Sequence, residues 1–299
     1  RPLPTRPRRS GGSPSAAASA TPYRRGAAAW RADTLAPVLM APHTRELFAN
    51  LLRREIRGRY KGSWLGVVWT LINPIVAMLA YTLVFTVLFR AFDGIPRYPQ
   101  FLLVGQAFWL FFSGAIIVAA SSLIGNADLV KKVRFPRQIV PIASMTSQAL
   151  PAGIMTALLV PAALVWNDGD RKTLLLLPFV VLCCVALVAG LALALSVINV
   201  YFRDTEHILN ALILPWFFIT PILFTFSTFP LATSKPWLVD VLKFVNFPTP
   251  FVLALQDCLY WGAWPSWKIL SYIAVVGFGS LALGWWTFRK LERDIAVEL

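Results

Sequence analysis

Six apolar stretches, at about 64–89, 101–124, 139–166, 173–202, 208–227 and 268–288, run through the chain with no Asp, Glu, Lys or Arg away from their ends. Each is near or above the roughly 20 residues that a helix rising about 1.5 Å per residue needs to cross the hydrocarbon of a bilayer. The expected fold is an all-α integral membrane protein with six transmembrane helices. Composition agrees, with 57% of the 299 residues hydrophobic and 14% charged, where soluble domains average about 45–50% and about 25%. Between the fifth and sixth stretches, 228–267 holds apolar pieces around Trp237–Val245 and Phe251–Trp261, punctuated by Pro230, Pro236, Pro248, Pro250 and Pro265. They are too short to cross, so re-entrant or interfacial helices are expected on the extracytoplasmic side before the last span.

The remaining charges orient the chain. Formal net charge is +14, from 28 Lys and Arg against 14 Asp and Glu, a balance that by itself would suit nucleic acid. The basic residues lie in bands between the apolar blocks, however, and no nucleic-acid partner is expected. With both termini cytoplasmic, 21 of the 28 fall inside and 7 outside, as the positive-inside rule requires. Without the 7 basic residues of the first 31 positions the balance is still 14 against 7. Residues 1–41, rich in Arg, Pro, Ala, Ser and Gly, are expected to be a disordered basic tail. No apolar core follows those arginines at signal-peptide distance, and 42–299 is read as the transmembrane domain. Over 44–58, Leu47, Phe48, Leu51, Leu52 and Ile56 form one helical stripe, with Arg45, Arg53, Arg54 and Arg57 covering much of the rest. That pattern is an amphipathic helix at the membrane interface; packing on a soluble core is the alternative.

Chemistry is constrained by what the spans lack. Ion-coupled carriers and pumps keep ionisable groups at depth, and these spans have none. No G-x-x-x-x-G-K-[ST] phosphate loop occurs, so an ATP-driven transporter would draw its energy from another polypeptide; a passive channel stays open. Cys183, Cys184 and Cys258 offer neither a disulfide framework nor a zinc spacing, and His43 and His207 are far apart. Asp168 with Asp170 reads as a solvated turn, and Asp204 with Glu206 and His207 as a helix-end cluster. A catalytic dyad is disfavoured at either place and at Asp257. No catalytic, cofactor or metal residue is assigned, and the chain reads as a transport subunit. More informative is 126–137: a short cytoplasmic helix in which Asp128 acts as cap, Leu129, Val130 and Val133 share one side, and Phe135-Pro136 makes a rigid stop. Its apolar side favours docking into a protein cleft over contact with anionic lipid.

Several stretches resemble the membrane subunit of ABC-type polysaccharide exporters, the type-2 permeases that move lipid-linked O-antigen, capsule, teichoic acid or galactan. They are Arg54 to Pro74, Asn126 to Pro141, Tyr201 to Ile208, Thr220 to Leu223 and Asn246 to Gly262, in the expected order. In the last, Phe247 intervenes where the family has Asn directly before Pro. The resemblance implies a homodimer in the bacterial plasma membrane around a central conduit. It also implies two ATP-binding-cassette subunits holding the ATP and Mg on the cytoplasmic side. The 126–137 loop is then similar to the coupling helix, with Asp128, Leu129, Lys131, Lys132, Arg134, Phe135 and Arg137 meeting the ATPase. Arg57, Arg59, Tyr60, Lys61 and Trp64 lie where the family admits the lipid pyrophosphate. Fixed cations there attract such an anion, although positive-inside topology alone also places basic residues at that position. Sugars slide along aromatic faces, which makes Trp69, Tyr81, Phe85, Trp109, Phe111, Phe112, Trp216 and Phe218 candidates for the conduit wall. Asn73-Pro74 and the Pro141, Pro151 and Pro161 series are expected to bend their helices. The rival readings are a type-2 exporter of a small lipid or drug and a membrane-embedded glycan-modifying enzyme.

Overall fold

A computed structural model describes residues 42–298, apart from 65, 89–94, 134, 167–168, 227–235 and 293–294. The basic tail 1–41 and Asp168 thus lie outside the described residues, as does Arg134. The helices are α1 (Pro42–Tyr60), α2 (Trp69–Thr82, continued by a π-helical turn Leu83–Leu88), α3 (Tyr98–Gly125), α4 (Ala127–Lys132), α5 (Ile139–Trp166), α6 (Leu177–Tyr201), α7 (Thr205–Ile219), α8 (Pro236–Val245), α9 (Thr249–Gln256, continued by a π-helical turn Asp257–Trp261), α10 (Trp267–Leu291) and α11 (Ile295–Glu298). Among the described residues there is no strand.

Five helical stretches are long and apolar enough to cross a membrane: Trp69–Val87, Tyr98–Gly125, Ile139–Trp166, Arg171–Tyr201 and Trp267–Leu291. The expected fifth span differs. Its helix, α7, has 15 residues and stops at Thr220, whose ψ of 137° is extended. Pro221 is the reason, since proline disfavours helical backbone in the residue before it. The stretch 228–267 contributes a broken pair, Trp237–Val245 and Thr249–Trp261, bent by 103°.

Helices α6 and α10 are the most extensively packed pair, followed by α3 with α5 and α3 with α6. A side-chain carbon on Gly284 would stand 2.0 Å from the Gly190 carbonyl oxygen, and one on Gly190 2.2 Å from the Ser280 backbone. Small residues permit that approach, and the Ser280 hydroxyl donates to the Leu187 carbonyl at 3.0 Å across the pair. In hydrocarbon, where lipid tails are as apolar as leucine, close backbone packing of this kind holds helices together. One core fills the body of the bundle. A second, with Leu51, Val130, Val140, Leu193, Phe288 and Ile295, joins α1, α4, α5, α6, α10 and α11 at the basic end.

Candidate functional site

The basic end of the bundle is organised around α1. Leu51 is buried and Leu47 and Phe48 pack against the second core, so the apolar stripe lies against the chain's own helices while Arg45, Arg53 and Arg57 are exposed. Arg54 donates to Asn126 Oδ1, linking α1 to the junction of α3 and α4. One turn on, Arg59 Nη1 donates to Gln148 Oε1 at 3.0 Å and Nη2 to Ser147 Oγ at 3.5 Å, both on α5.

These contacts close one wall of a cavity of ≈ 370 Å³, lined by Arg59, Ser63, Trp69, Asn73, Ser113 and Gln148 with Pro74 and Pro151. Gly114 makes room for it, because a side-chain carbon there would meet Gln148 Oε1 at 2.8 Å. Guanidinium has five N–H groups, and Arg59 uses two of them on these neutral oxygens while its charge lies in the cavity wall. Arg57 and Lys61 are exposed beside it, and Trp64 is 97% exposed. Of Tyr60 the backbone ends α1, and its side chain is not described. Sequence reasoning placed Arg59 here and missed Gln148 and Ser113. The signal was Ser147-Gln148, polar residues in an apolar span; their partner was invisible because it is 89 positions away.

The short helix of the 126–137 loop is present, with a different start. Asn126 occupies the cap position and Asp128 is the second helical residue, exposed and paired with Lys132 at 3.1 Å. Val130 is buried, and Leu129 and Phe135 pack against the second core. The apolar side therefore faces this chain and the outward face is Asp128, Lys131, Lys132 and Val133. Arg137 is taken up within the chain: its Nη1 donates to the Glu292 carbonyl at 2.6 Å, and Gln138 donates to the Glu292 carboxylate at 3.2 Å. Tyr201 donates to the Leu291 carbonyl at 3.0 Å, so three side chains close the end of α10. Burial pushes the Glu292 carboxyl above the usual carboxylate range, against the opposing pull of Arg137.

The aromatic candidates divide. Trp109, Phe111 and Phe112 are buried in this chain's own core. Phe112 stands edge-on to Trp216 at 5.4 Å, and Trp216 stands edge-on to Phe247 at 5.1 Å. Trp216 Nε1 donates to Asn246 Oδ1 at 2.7 Å, so the inserted Phe247 and its neighbour lock α7 to the bend between α8 and α9. Tyr81 stacks on Phe217 at 5.8 Å and Phe85 is half-buried. Trp69 and Phe218 are exposed.

Of the carboxylates singled out, Asp170 holds structure. Asp170 Oδ1 accepts from the Lys172 backbone N–H at 2.9 Å and Oδ2 from the Trp264 indole at 3.1 Å, and the hydrogen bond from Lys172 lowers its carboxyl below the ordinary range. Asp204 stands at the start of α7 without a side-chain cap bond. Among the described residues no three or more of His, Cys, Asp and Glu are grouped so as to hold a metal ion.

Compared with known proteins, the chain matches the ABC-2 type transporter family over residues 46–244. It is 33% identical over 241 residues to the O-antigen export system permease protein RfbA of Myxococcus xanthus, which covers 81% of this chain and 89% of that protein. A protein of the same name from Klebsiella pneumoniae is 26% identical over 254 residues, covering 84% and 94%.

Proposed function

Because the chain belongs to the ABC-2 type transporter family, we propose that it is the permease subunit of an ATP-driven exporter of a lipid-linked polysaccharide in the bacterial plasma membrane, with both termini cytoplasmic. The likeness to O-antigen export permeases over most of both chains carries this reading.

Two copies of the chain form the conduit, and two ATP-binding-cassette subunits supply ATP and Mg chemistry from the cytoplasm. The outward face of α4 docks on the ATPase. Asn126, at the root of α4, is held by Arg54, and the segment after α4 is held through Arg137 to the end of α10. A displacement of α4 is therefore delivered both to α1, which carries Arg57 and Arg59, and to the last span. Arg59, with Arg57 and Lys61 beside it, captures the lipid pyrophosphate by charge-assisted hydrogen bonds. The glycan then passes along aromatic faces left open in the single chain, such as Trp69 and Phe218.

The test is export in a producing strain. Removing the chain should leave lipid-linked glycan on the inner face, and restoring it together with an active ATPase should return glycan to the surface. Reconstituted vesicles in which this chain alone moves or modifies the glycan would overturn the reading.

A further inference from the structure

After the last span the chain turns charged, with Arg289, Lys290, Glu292, Arg293 and Asp294 in close succession before Ile295. One isoleucine behind so many charges has no need of a core, yet Ile295 is 0% exposed. Its approach is fixed at the end of α10, where Arg137 and Tyr201 donate to the carbonyls of Glu292 and Leu291, and Gln138 donates to the Glu292 carboxylate. Beyond that anchor α11 lies against α4 and α6. Ile295 there joins one buried cluster with Val130 of α4 and with Val197 and Val200 of α6.

Neither α4, with six residues, nor α11, with four, can hold its shape alone, since an isolated helix in water needs about 12–15 residues. Each is placed by what it packs on. Apart from α3, which it follows, the helix most extensively packed on α4 is α11, and Val130 is the one side chain that α4 buries fully. The far flank of α11 is open. A cavity of ≈ 730 Å³ at the corner between α6 and α7 is lined by Tyr201, Phe202, Asp204 and, from α11, Glu298, so α11 can withdraw from α4 without displacing a helix.

We propose that α11 is a strut behind α4 and that Ile295 is a positioning residue for coupling. With Ile295 seated, a push on the outward face of α4 is passed to α6 and the last span; with Ile295 withdrawn, α4 yields locally and the push is lost. The coupling role rests on the proposed function, in which that face meets the ATPase.

The experiment compares the full chain with Ile295→Ser and Ile295→Leu in nanodiscs, alone and with the ATPase subunits, by amide hydrogen exchange and by glycan exported per ATP hydrolysed. Losing a buried isoleucine shifts the seated population of α11 about tenfold or more. Exchange at α11 should rise by that factor in Ile295→Ser, and exchange at Val130 and Val133, which donate to the Asn126 and Leu129 carbonyls, should rise with it. Glycan exported per ATP should fall in the same proportion, while Tm stays at the wild-type value because the opening is local. Ile295→Leu, of equal volume, should keep both readouts near wild type, and Ile295→Ala replaces Ile295→Ser if the latter does not fold. Raised exchange at α11 with none at α4, an unchanged yield per ATP, or a fall in export matched by a fall in Tm overturns the proposal. Unchanged exchange at α4 removes the strut whatever the chain exports, whereas raised exchange there in a chain whose loss leaves surface glycan unchanged removes the export reading and, with it, the coupling role.

Discussion

Gly114 contributes to the Arg59 cavity by lacking a side chain. A methyl there would meet Gln148 Oε1 at 2.8 Å, and the amide, the free end of a flexible side chain, would move before two packed helices did. Arg59 would then lose its acceptor at 3.0 Å, an interaction of about 1.5 kcal/mol for a charged donor. Gly114→Ala is expected to raise the substrate level for half-maximal export about tenfold and to lower stability by no more than about 1.5 kcal/mol; export assayed at limiting and saturating substrate, with thermal unfolding beside it, checks this. Arg59→Ala combined with Lys61→Ala should depress export at limiting substrate further, and an unaltered rate there would remove the capture role. Glu292 offers a pH test. Its carboxyl is raised by burial and opposed by Arg137, so it favours the folded state below the ordinary glutamate range, and that advantage is lost as pH rises through the raised value. Arg137→Ala leaves the ionised group without its partner, so thermal unfolding should show a larger fall in Tm near pH 7.5 than near pH 4.

At the scale of elements, the α6–α10 pair is the most exacting. Gly284→Val would drive side-chain carbons into the Gly190 carbonyl, where backbone cannot retreat, and should destabilise by about 3 kcal/mol or more, at the top of the range for overpacking. Thermal unfolding in detergent measures it. Hydropathy located five spans to within a few residues, because length and the absence of charge are local properties. It overran α7 because composition weighs a threonine and a proline lightly within an apolar run, whereas backbone geometry at Thr220-Pro221 ends the helix outright. Similarly, Asp128 reads as a cap until Asn126, turned back onto the Ser122 carbonyl at 2.8 Å, is seen to hold that position.

For the whole molecule, the property that the proposed function adds is dependence on a partner ATPase. The Asp128–Lys132 pair is exposed and contributes little to stability, as surface pairs do. Asp128→Ala should therefore leave the purified chain intact and reduce ATPase association and export together. Export unchanged in that variant would remove α4 as the docking element. Phe135→Ala is a less selective test, since Phe135 also packs on the second core.

The sequence by itself determined that this chain is a helical membrane body with one basic end, an amphipathic helix before its first span and no Asp, Glu, Lys or Arg deep in the long apolar runs. Those are consequences of run length, periodicity and charge, which act along the chain. Only the tertiary structure decided that Arg59 meets Gln148 above Gly114, that Arg137 serves α10, and that Trp109, Phe111 and Phe112 are sealed in the core. Each depends on which side chains from distant helices share one space, and a hydropathy pattern specifies only that a face is apolar, not whether lipid, substrate or another helix covers it.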